Sequence, residues 1–206
     1  MDLIKASAEI EASASNEISN TKTSIRSMGV DVARLGVDAT VFAYFEGDRQ
    51  LPFELFYNQD TMQTAAKIRE RYDAGWHIIA VDDTGIGGGV NDRLREMNVP
   101  VHAVNFGQKP QGFLKHRKNL LNARAEMYFV LQEELREQSI TLLDDSALHQ
   151  ELASIRLTTS ENALVYRMED KKEISKRLGR SPDRADATAL ARYGVRLEAY
   201  KKAAFF

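Results

Sequence analysis

Residues 29–46 read GVDVARLGVDATVFAYFE, a pattern of strand, turn and strand. The segments 29–34 and 39–46 are rich in Val, Phe and Tyr, which favour extended backbone, and the Leu-Gly-Val-Asp between them is a turn signal. A Gly-Asp turn follows and leads to a third strand, predicted over 53–57. Two hairpins in succession predict an antiparallel three-stranded meander.

Beyond the meander, the sequence changes to an alternation of helices and strands. Helical periodicity predicts a helix over 61–73 with Thr61 as its cap, and the apolar run HIIAVD predicts a buried strand over 77–82. A glycine-rich connection leads to a predicted helix over about 90–97 and a strand over 99–105. Because parallel strands are joined by helical crossovers, this order predicts that parallel strands extend the meander.

The last part of the chain is predicted to be mostly helical. The predicted elements are helices over 119–138, 146–155 and 182–202, a hairpin over 155–168, and a basic loop or short helix over 170–180. We therefore predict an α/β domain: a mixed sheet, made of an antiparallel meander plus parallel strands, with helices on both faces.

The first 28 residues differ in composition from the rest of the chain. They are rich in Ser, Ala, Asn and Glu and contain no aromatic residue, which predicts a linker or a disordered arm. We therefore place the globular domain at residues 29–206. No apolar run approaches the roughly 20 residues of a membrane helix, so we expect a soluble intracellular protein.

Composition excludes several classes of function. The 206 residues contain no cysteine, which excludes thiolate zinc sites, iron–sulfur clusters and cysteine nucleophiles. The four histidines are not paired at helical spacing, which argues against a zinc hydrolase built on histidines. The net charge of -2 excludes DNA binding by bulk positive charge, although a local basic patch remains compatible with it.

Three aspartates stand where packing alone would not place them. Asp31 lies in an apolar strand, Asp82 ends the apolar run, and Asp186 lies between two alanines of the last predicted helix. Buried carboxylates are unfavourable unless they are paired or bound to a cation. Oxygen ligands without His or Cys favour Mg²⁺ or Mn²⁺, and such a site supports two-metal hydrolysis of a phosphodiester.

Three motifs surround these aspartates in order along the chain. They are GVDVARLGVDATV at 29–41, IIAVDDTGIGGGVNDRL at 78–94 and GRSPDRADATALA at 179–191. Together they resemble the nuclease domain of phage terminase large subunits, the DNA-packaging proteins, whose fold is RNase H-like. The resemblance spans residues 29–191, which is nearly the whole predicted globular part.

The resemblance implies a metal-dependent endonuclease that cleaves double-stranded concatemeric viral DNA during genome packaging, in the cytoplasm of the infected bacterial host. Asp31, Asp82 and Asp186 would be catalytic and would hold two Mg²⁺ or Mn²⁺ ions during the reaction. Full-length terminase large subunits also carry an ATPase domain and work with the portal ring and the small terminase subunit. This sequence has no Gly-x-x-x-x-Gly-Lys-Ser/Thr, so the resemblance covers the nuclease part, and no membrane partner is expected.

Three further aspartates are candidate auxiliary residues. Asp38 fits the first motif but also suits a turn that opens the second strand. Asp83 follows Asp82 and would point to the opposite side of a strand, where it could cap the next turn. Asp183 shares a helix face with Asp186, but it lies in the first helical turn, where any acid is favoured.

Basic side chains before the last motif are the candidate DNA contacts, because phosphate neutralisation supplies most non-specific DNA affinity. The alternative is an ordinary solvated face of the protein. The candidates are Lys171, Lys172, Lys176, Arg177 and Arg180.

Other functions remain open at this stage. Another RNase H-like nuclease, such as a Holliday-junction resolvase or a transposase-like core, would share the carboxylate triad but cut branched DNA. A non-catalytic module that docks DNA or the portal ring would bind without metal. A sugar-kinase-like ATPase shares the core, but its second domain and phosphate loops are missing from this sequence.

Overall fold

The computed structural model describes residues 24–33, 38–114, 119–159 and 165–204. At the centre lies a five-stranded sheet of order β3-β2-β1-β4-β5. The strands β1 to β3 pair antiparallel, whereas β4 and β5 continue the sheet parallel to β1. The strands are β1 (Arg26–Asp31), β2 (Thr40–Glu46), β3 (Arg49–Phe56), β4 (Ile78–Asp82) and β5 (His102–Val104).

Helices cover both faces of this sheet, which confirms the predicted mixed α/β architecture. A separate antiparallel hairpin pairs β6 (Leu157–Thr159) with β7 (Tyr166–Met168). No helix within the described ranges is both long and apolar enough to span a bilayer. The helices are α1 (Thr61–Asp73), α2 (Gly87–Glu96), α3 (Ala123–Arg136), α4 (Ser146–Ser154), α5 (Lys171–Leu178) and α6 (Asp183–Ala204).

Alternation along the central strands separates two apolar layers. Met28 and Val30 of β1 pack in one layer with Ile79 and Val81 of β4, under α1 and α2. The residues between them, including Ala80, face the layer formed with α3 and α6. Asp31 lies two residues after Gly29 and Asp82 two residues after Ala80, so both carboxylates belong to the same sheet face as Gly29 and Ala80, the face that α6 covers.

The helix α6 packs on β1 through backbone rather than through side chains. A Cβ on Gly29 would lie 2.0 Å from the Ala187 carbonyl oxygen and 2.3 Å from the Ala191 nitrogen. One turn further, a Cβ on Gly194 would lie 3.1 Å from the Cβ of Ala80. Small residues at these positions therefore let α6 lie directly on the strands that end in the two aspartates.

Several element boundaries differ from the predictions. The strand β1 begins at Arg26, within the segment assigned to the arm, and ends at Asp31 rather than at residue 34. The strand β3 begins at Arg49, because the tight turn lets Arg49 pair with Glu46 at once. Of the predicted arm, residues 1–23 lie outside the described part of the chain.

The helix α1 has the predicted bounds, but its cap is Asp60 rather than Thr61. The Asp60 carboxylate accepts from the Gln63 backbone nitrogen at 2.7 Å, and the Gln63 side chain accepts from the Asp60 backbone nitrogen at 3.1 Å. This reciprocal capping box satisfies two backbone donors that the helix would otherwise leave free.

Differences at the other helices have equally local causes. The helix α2 begins at Gly87, earlier than predicted, while α3 begins only at Ala123 because Asn122 caps it. The segment 170–180, which the sequence left open, contains α5, and Gly179 in the left-handed conformation caps the C-terminus of this helix. The turn of the predicted hairpin falls outside the described residues.

We expect Gly29→Ala to lower the free energy of unfolding by about 3 kcal/mol, because the new methyl group would overlap the backbone of α6. Urea unfolding measures this change. Gly88→Ala is the matched control, since a Cβ there would have its nearest neighbour at 3.9 Å and the helix would gain propensity. Equal stability of Gly29→Ala and the wild type would contradict the packing described here.

Candidate active site

The aspartates of the three motifs meet at the carboxyl ends of β1 and β4. The register pairs Gly29 with Ala80 and Val30 with Val81, so Asp31 and Asp82 end neighbouring strands at the same level. Asp186 enters from α6, one residue before the alanine whose carbonyl rests on β1. The first and second motifs thus each supply one carboxylate from the end of a strand, and the third motif supplies one from a helix.

All three carboxylates are buried, and an ammonium group lies among them. Asp186 is 0% exposed, Asp31 4% and Asp82 5%. The Lys171 Nζ, from the start of α5, lies 2.7 Å from Asp186 Oδ2 and 3.5 Å from Asp31 Oδ2. A positive charge therefore already bridges two of the carboxylates.

Burial makes ionisation of the two strand aspartates unfavourable. It raises the pKa of Asp31 to about 8 from a usual value of 3.8, with a further contribution from the negative charge of Asp186. Burial, together with the nearby Asp31, likewise raises the pKa of Asp82 to about 7. Without an added cation, both groups hold protons at neutral pH or just below it.

Asp186 behaves in the opposite way. Burial alone would raise its pKa, but the positive charges of Arg124 and Lys171 lower the pKa of this carboxyl below its usual value. The Tyr128 hydroxyl donates to Asp186 Oδ1 at 2.6 Å, and the Arg124 Nη2 and Nε lie 3.3 and 3.4 Å from the same oxygen. Asp186 therefore remains charged.

The structure separates Asp82 from Asp83. Asp82 Oδ1 accepts from the Thr84 backbone nitrogen at 2.8 Å, and its carboxylate faces Asp31 and Lys171. The Asp83 carboxylate points towards α2, where Oδ1 accepts from the Asn91 side chain at 2.8 Å. Only the first of the two adjacent acids is thus brought to the cluster.

The other two auxiliary candidates lie beside the cluster. The Asp183 carboxyl lies close enough to Asp31 for the two groups to affect each other's pKa, and burial raises the pKa of Asp183. Asp38 is exposed, and together with Asp183 and Arg184 it lines a cavity of about 120 Å³. Asp183 therefore lies next to Asp31 of the cluster, whereas Asp38 lies at its margin.

Most of the predicted DNA contacts are engaged by acidic side chains. Lys176 pairs with Glu173 at 2.6 Å, and Arg177 pairs with Glu169 at 2.5 Å. Arg180 pairs with the buried Glu151. Lys171 points into the carboxylates, and Lys172 is exposed on the surface.

The sequence analysis missed Arg124 and Tyr128 and did not assign Lys171 to the cluster. Arg124 and Tyr128 are both 7% exposed and lie four residues apart, on one face of α3. A charged residue within the largely buried stretch 123–131 was a signal that could have identified Arg124. Nothing in the sequence distinguishes Lys171 from the adjacent lysine.

As the side chains lie, no group of three acids or histidines in the described ranges stands close enough together to hold a metal ion. Lys171 accounts for this arrangement, because its ammonium group lies between two of the carboxylates. The cluster is therefore a candidate cation site that contains a side-chain cation.

Comparison with known proteins bears on the fold. No family model matches this chain, and no curated protein sequence matches it. Solved structures do match: the nuclease domain of the large terminase subunit gp2 of bacterial virus Sf6 superposes with a TM-score of 0.71 at 17% identity, over 87% of this chain and 92% of that domain.

Two further solved nuclease domains have a similar fold. The large terminase nuclease of thermophilic phage G20c gives a TM-score of 0.58 at 14% identity, covering 83% of this chain and 82% of that one. The large terminase nuclease domain of Thermus phage P74-26 gives 0.57 at 12% identity, covering 82% and 78%. This chain has the RNase H-like fold of the nuclease domains of phage large terminase subunits, as the resemblance of its motifs predicted.

Proposed function

We propose that this chain is a divalent-metal-dependent endonuclease that cleaves double-stranded concatemeric DNA during viral genome packaging. The observation that carries the proposal is the meeting of Asp31, Asp82 and Asp186 around a positive charge, at the carboxyl ends of two parallel strands. The similar domain from phage G20c has been solved with bound magnesium, and a variant of the Sf6 domain with manganese. These findings support a metal site in the same fold.

The residues at the cluster suit Mg²⁺ or Mn²⁺. Every candidate ligand is a carboxylate oxygen, the type that these cations prefer. Asp186 Oδ2 is fully buried and lacks a hydrogen-bond partner, although it faces the Lys171 ammonium. We propose that Asp31, Asp82 and Asp186 hold two ions during the reaction and that Asp183 is an auxiliary acid beside Asp31.

The side chains of this chain prepare the site for cleavage. When bound, the two metal ions would activate the attacking water and stabilise the leaving oxygen. Asp31 and Asp82 would give up their protons to become ligands, so cation binding would lower the pKa of both groups. Lys171 is 36% exposed, so its flexible side chain is free to turn outwards, where its charge would face a DNA phosphate.

The proposal extends to the partners and the location of the domain. We infer that the domain acts with an ATPase domain, the portal ring and the small terminase subunit, in the cytoplasm of the infected bacterial host. Lys172, Lys176, Arg177 and Arg180 stay candidate contacts for the DNA backbone, and Lys172 is exposed on the surface. Asp38 and Asp83 stay auxiliary candidates at most.

Asp82→Asn should abolish cleavage. The change removes the charge and keeps the shape, so cleavage of plasmid DNA in Mn²⁺ or Mg²⁺ should slow at least about 100-fold. Asp83→Asn is the matched control, because its carboxylate faces α2, and its rate should stay within about threefold of the wild type. Agarose electrophoresis, with EDTA as the metal-free reference, measures both variants.

Three outcomes would contradict this assignment. Cleavage that persists in Asp82→Asn would show that another carboxylate holds the metal. A folded wild-type protein that cuts DNA in neither metal would favour the docking module. Selective cutting of four-way junctions over linear duplex would favour a resolvase.

Stability without metal should depend on pH in a specific direction. The pKa values of Asp31 (about 8) and Asp82 (about 7) in the folded state lie above the usual 3.8. At pH values between the usual pKa and the raised ones, the folded state therefore binds more protons than the unfolded state. In EDTA, the free energy of unfolding should therefore fall as pH rises from about 5 to 8.

Urea unfolding at several pH values, in EDTA and in Mn²⁺, measures this dependence. Mn²⁺ should restore the stability lost at about pH 8, because the cation replaces the protons. The Asp31→Asn variant should show a flatter pH dependence in EDTA, since its amide does not titrate. A wild-type curve as flat as that of Asp31→Asn would refute the raised pKa values.

A further inference from the structure

We propose that Arg124 and Tyr128 are positioning residues that hold one oxygen of the Asp186 carboxylate and so keep the other oxygen facing the metal ion. The inference rests on the proposed function and goes beyond it, since neither residue belongs to the predicted site. The Tyr128 hydroxyl and two nitrogens of Arg124 surround Asp186 Oδ1, at 2.6, 3.3 and 3.4 Å. Oδ2 is left for the centre of the cluster, where it faces Lys171.

Both residues project from one rigid helix. They lie four residues apart on α3, so their side chains share a helix face, and the Arg124 guanidinium lies 5.5 Å from the centre of the Tyr128 ring. The Asn122 side chain caps this helix by accepting from the Ala125 backbone nitrogen at 3.0 Å. The donors therefore belong to a capped and buried element, not to a loop.

Arg124 makes a further contact that reaches the lysine. Its Nη1 donates to the Glu169 carbonyl oxygen at 3.0 Å, two residues before Lys171 opens α5. One guanidinium thus holds both the carboxylate of Asp186 and the backbone that leads to Lys171. The spread of N–H donors over three nitrogens, a planar fork, lets the guanidinium reach both groups at once, whereas the donors of an ammonium group all lie on one atom.

These contacts restrict the orientation of a carboxylate that would otherwise rotate. Tilting the Asp186 carboxylate out of this orientation would leave three donors without their acceptor in a buried site, where unsatisfied polar groups are unfavourable. Asp186 would therefore bind a cation through Oδ2 alone. Hydrogen bonds of this kind, which orient a ligand from behind, typically affect metal affinity about 10- to 100-fold.

Tyr128→Phe tests the proposal, because it removes the hydroxyl and leaves the ring. The matched control is Tyr193→Phe: Tyr193 is also buried, and its hydroxyl donates at 2.7 Å to a different buried carboxylate, Glu126. The Kd for Mn²⁺ is measured by electron paramagnetic resonance of free Mn²⁺, and folding is checked by circular dichroism.

We expect both variants to lose similar stability, but only Tyr128→Phe to raise the Mn²⁺ Kd, by about 10-fold. Arg124→Lys keeps the positive charge and loses the fork, so it should weaken Mn²⁺ binding as well. DNA cleavage should fall in parallel with Mn²⁺ binding in both site variants.

An unchanged Mn²⁺ Kd in both folded site variants would overturn the positioning role and leave Tyr128 and Arg124 as core residues. An equal rise in Tyr193→Phe would also overturn it, because the effect would then follow from general destabilisation. Asp186→Asn separates this failure from that of the proposed function. If Asp186→Asn itself binds Mn²⁺ normally, the proposed metal site is wrong and the inference falls with it.

Discussion

Gly29 carries no side chain, and the placement of α6 on the sheet depends on that absence. The Ala187 carbonyl lies where a Cβ of Gly29 would be, so the helix axis approaches β1 as closely as backbone allows. Asp31 lies two residues along the same face of the strand, and Asp186 directly precedes Ala187. The contact that packs the helix on β1 therefore also brings the carboxylates of Asp31 and Asp186 together. A change that moved α6 away from the sheet would disturb the core and the site at once.

This constraint forces negative charge into a buried space, and the structure compensates for it unequally. Arg124 and Lys171 stabilise the charge of Asp186, whereas burial keeps Asp31 and Asp82 protonated near neutral pH. Local cations thus satisfy one carboxylate, and protons occupy the other two. A divalent cation at such a site would compensate the negative charge that protons and the Lys171 ammonium group otherwise compensate.

Sequence patterns predicted what depends on local periodicity. Apolar strand patterns placed Asp31 within a strand and Asp82 at the end of another, and helical periodicity placed Asp186 between two alanines of the last helix. The surroundings of Asp186 were beyond such reasoning, because Arg124 and Tyr128 lie 62 and 58 residues away along the chain. Adjacent lysines look alike in sequence, and only the start of α5 decides that Lys171 points inwards.

The basic segment 171–180 is a second case in which the sequence pattern did not predict the contacts of the side chains, and these contacts bear on how the domain would bind DNA. Charge density alone suggested a phosphate-binding surface, yet Glu151, Glu169 and Glu173 hold three of its cations in ion pairs. A DNA phosphate would have to compete with these carboxylates for each arginine or lysine. If the domain cleaves DNA as proposed, much of its hold on the scissile phosphate must come from the metal ions and from Lys171 once it is displaced. Metal binding and DNA binding would then be thermodynamically linked at this site, and each would strengthen the other.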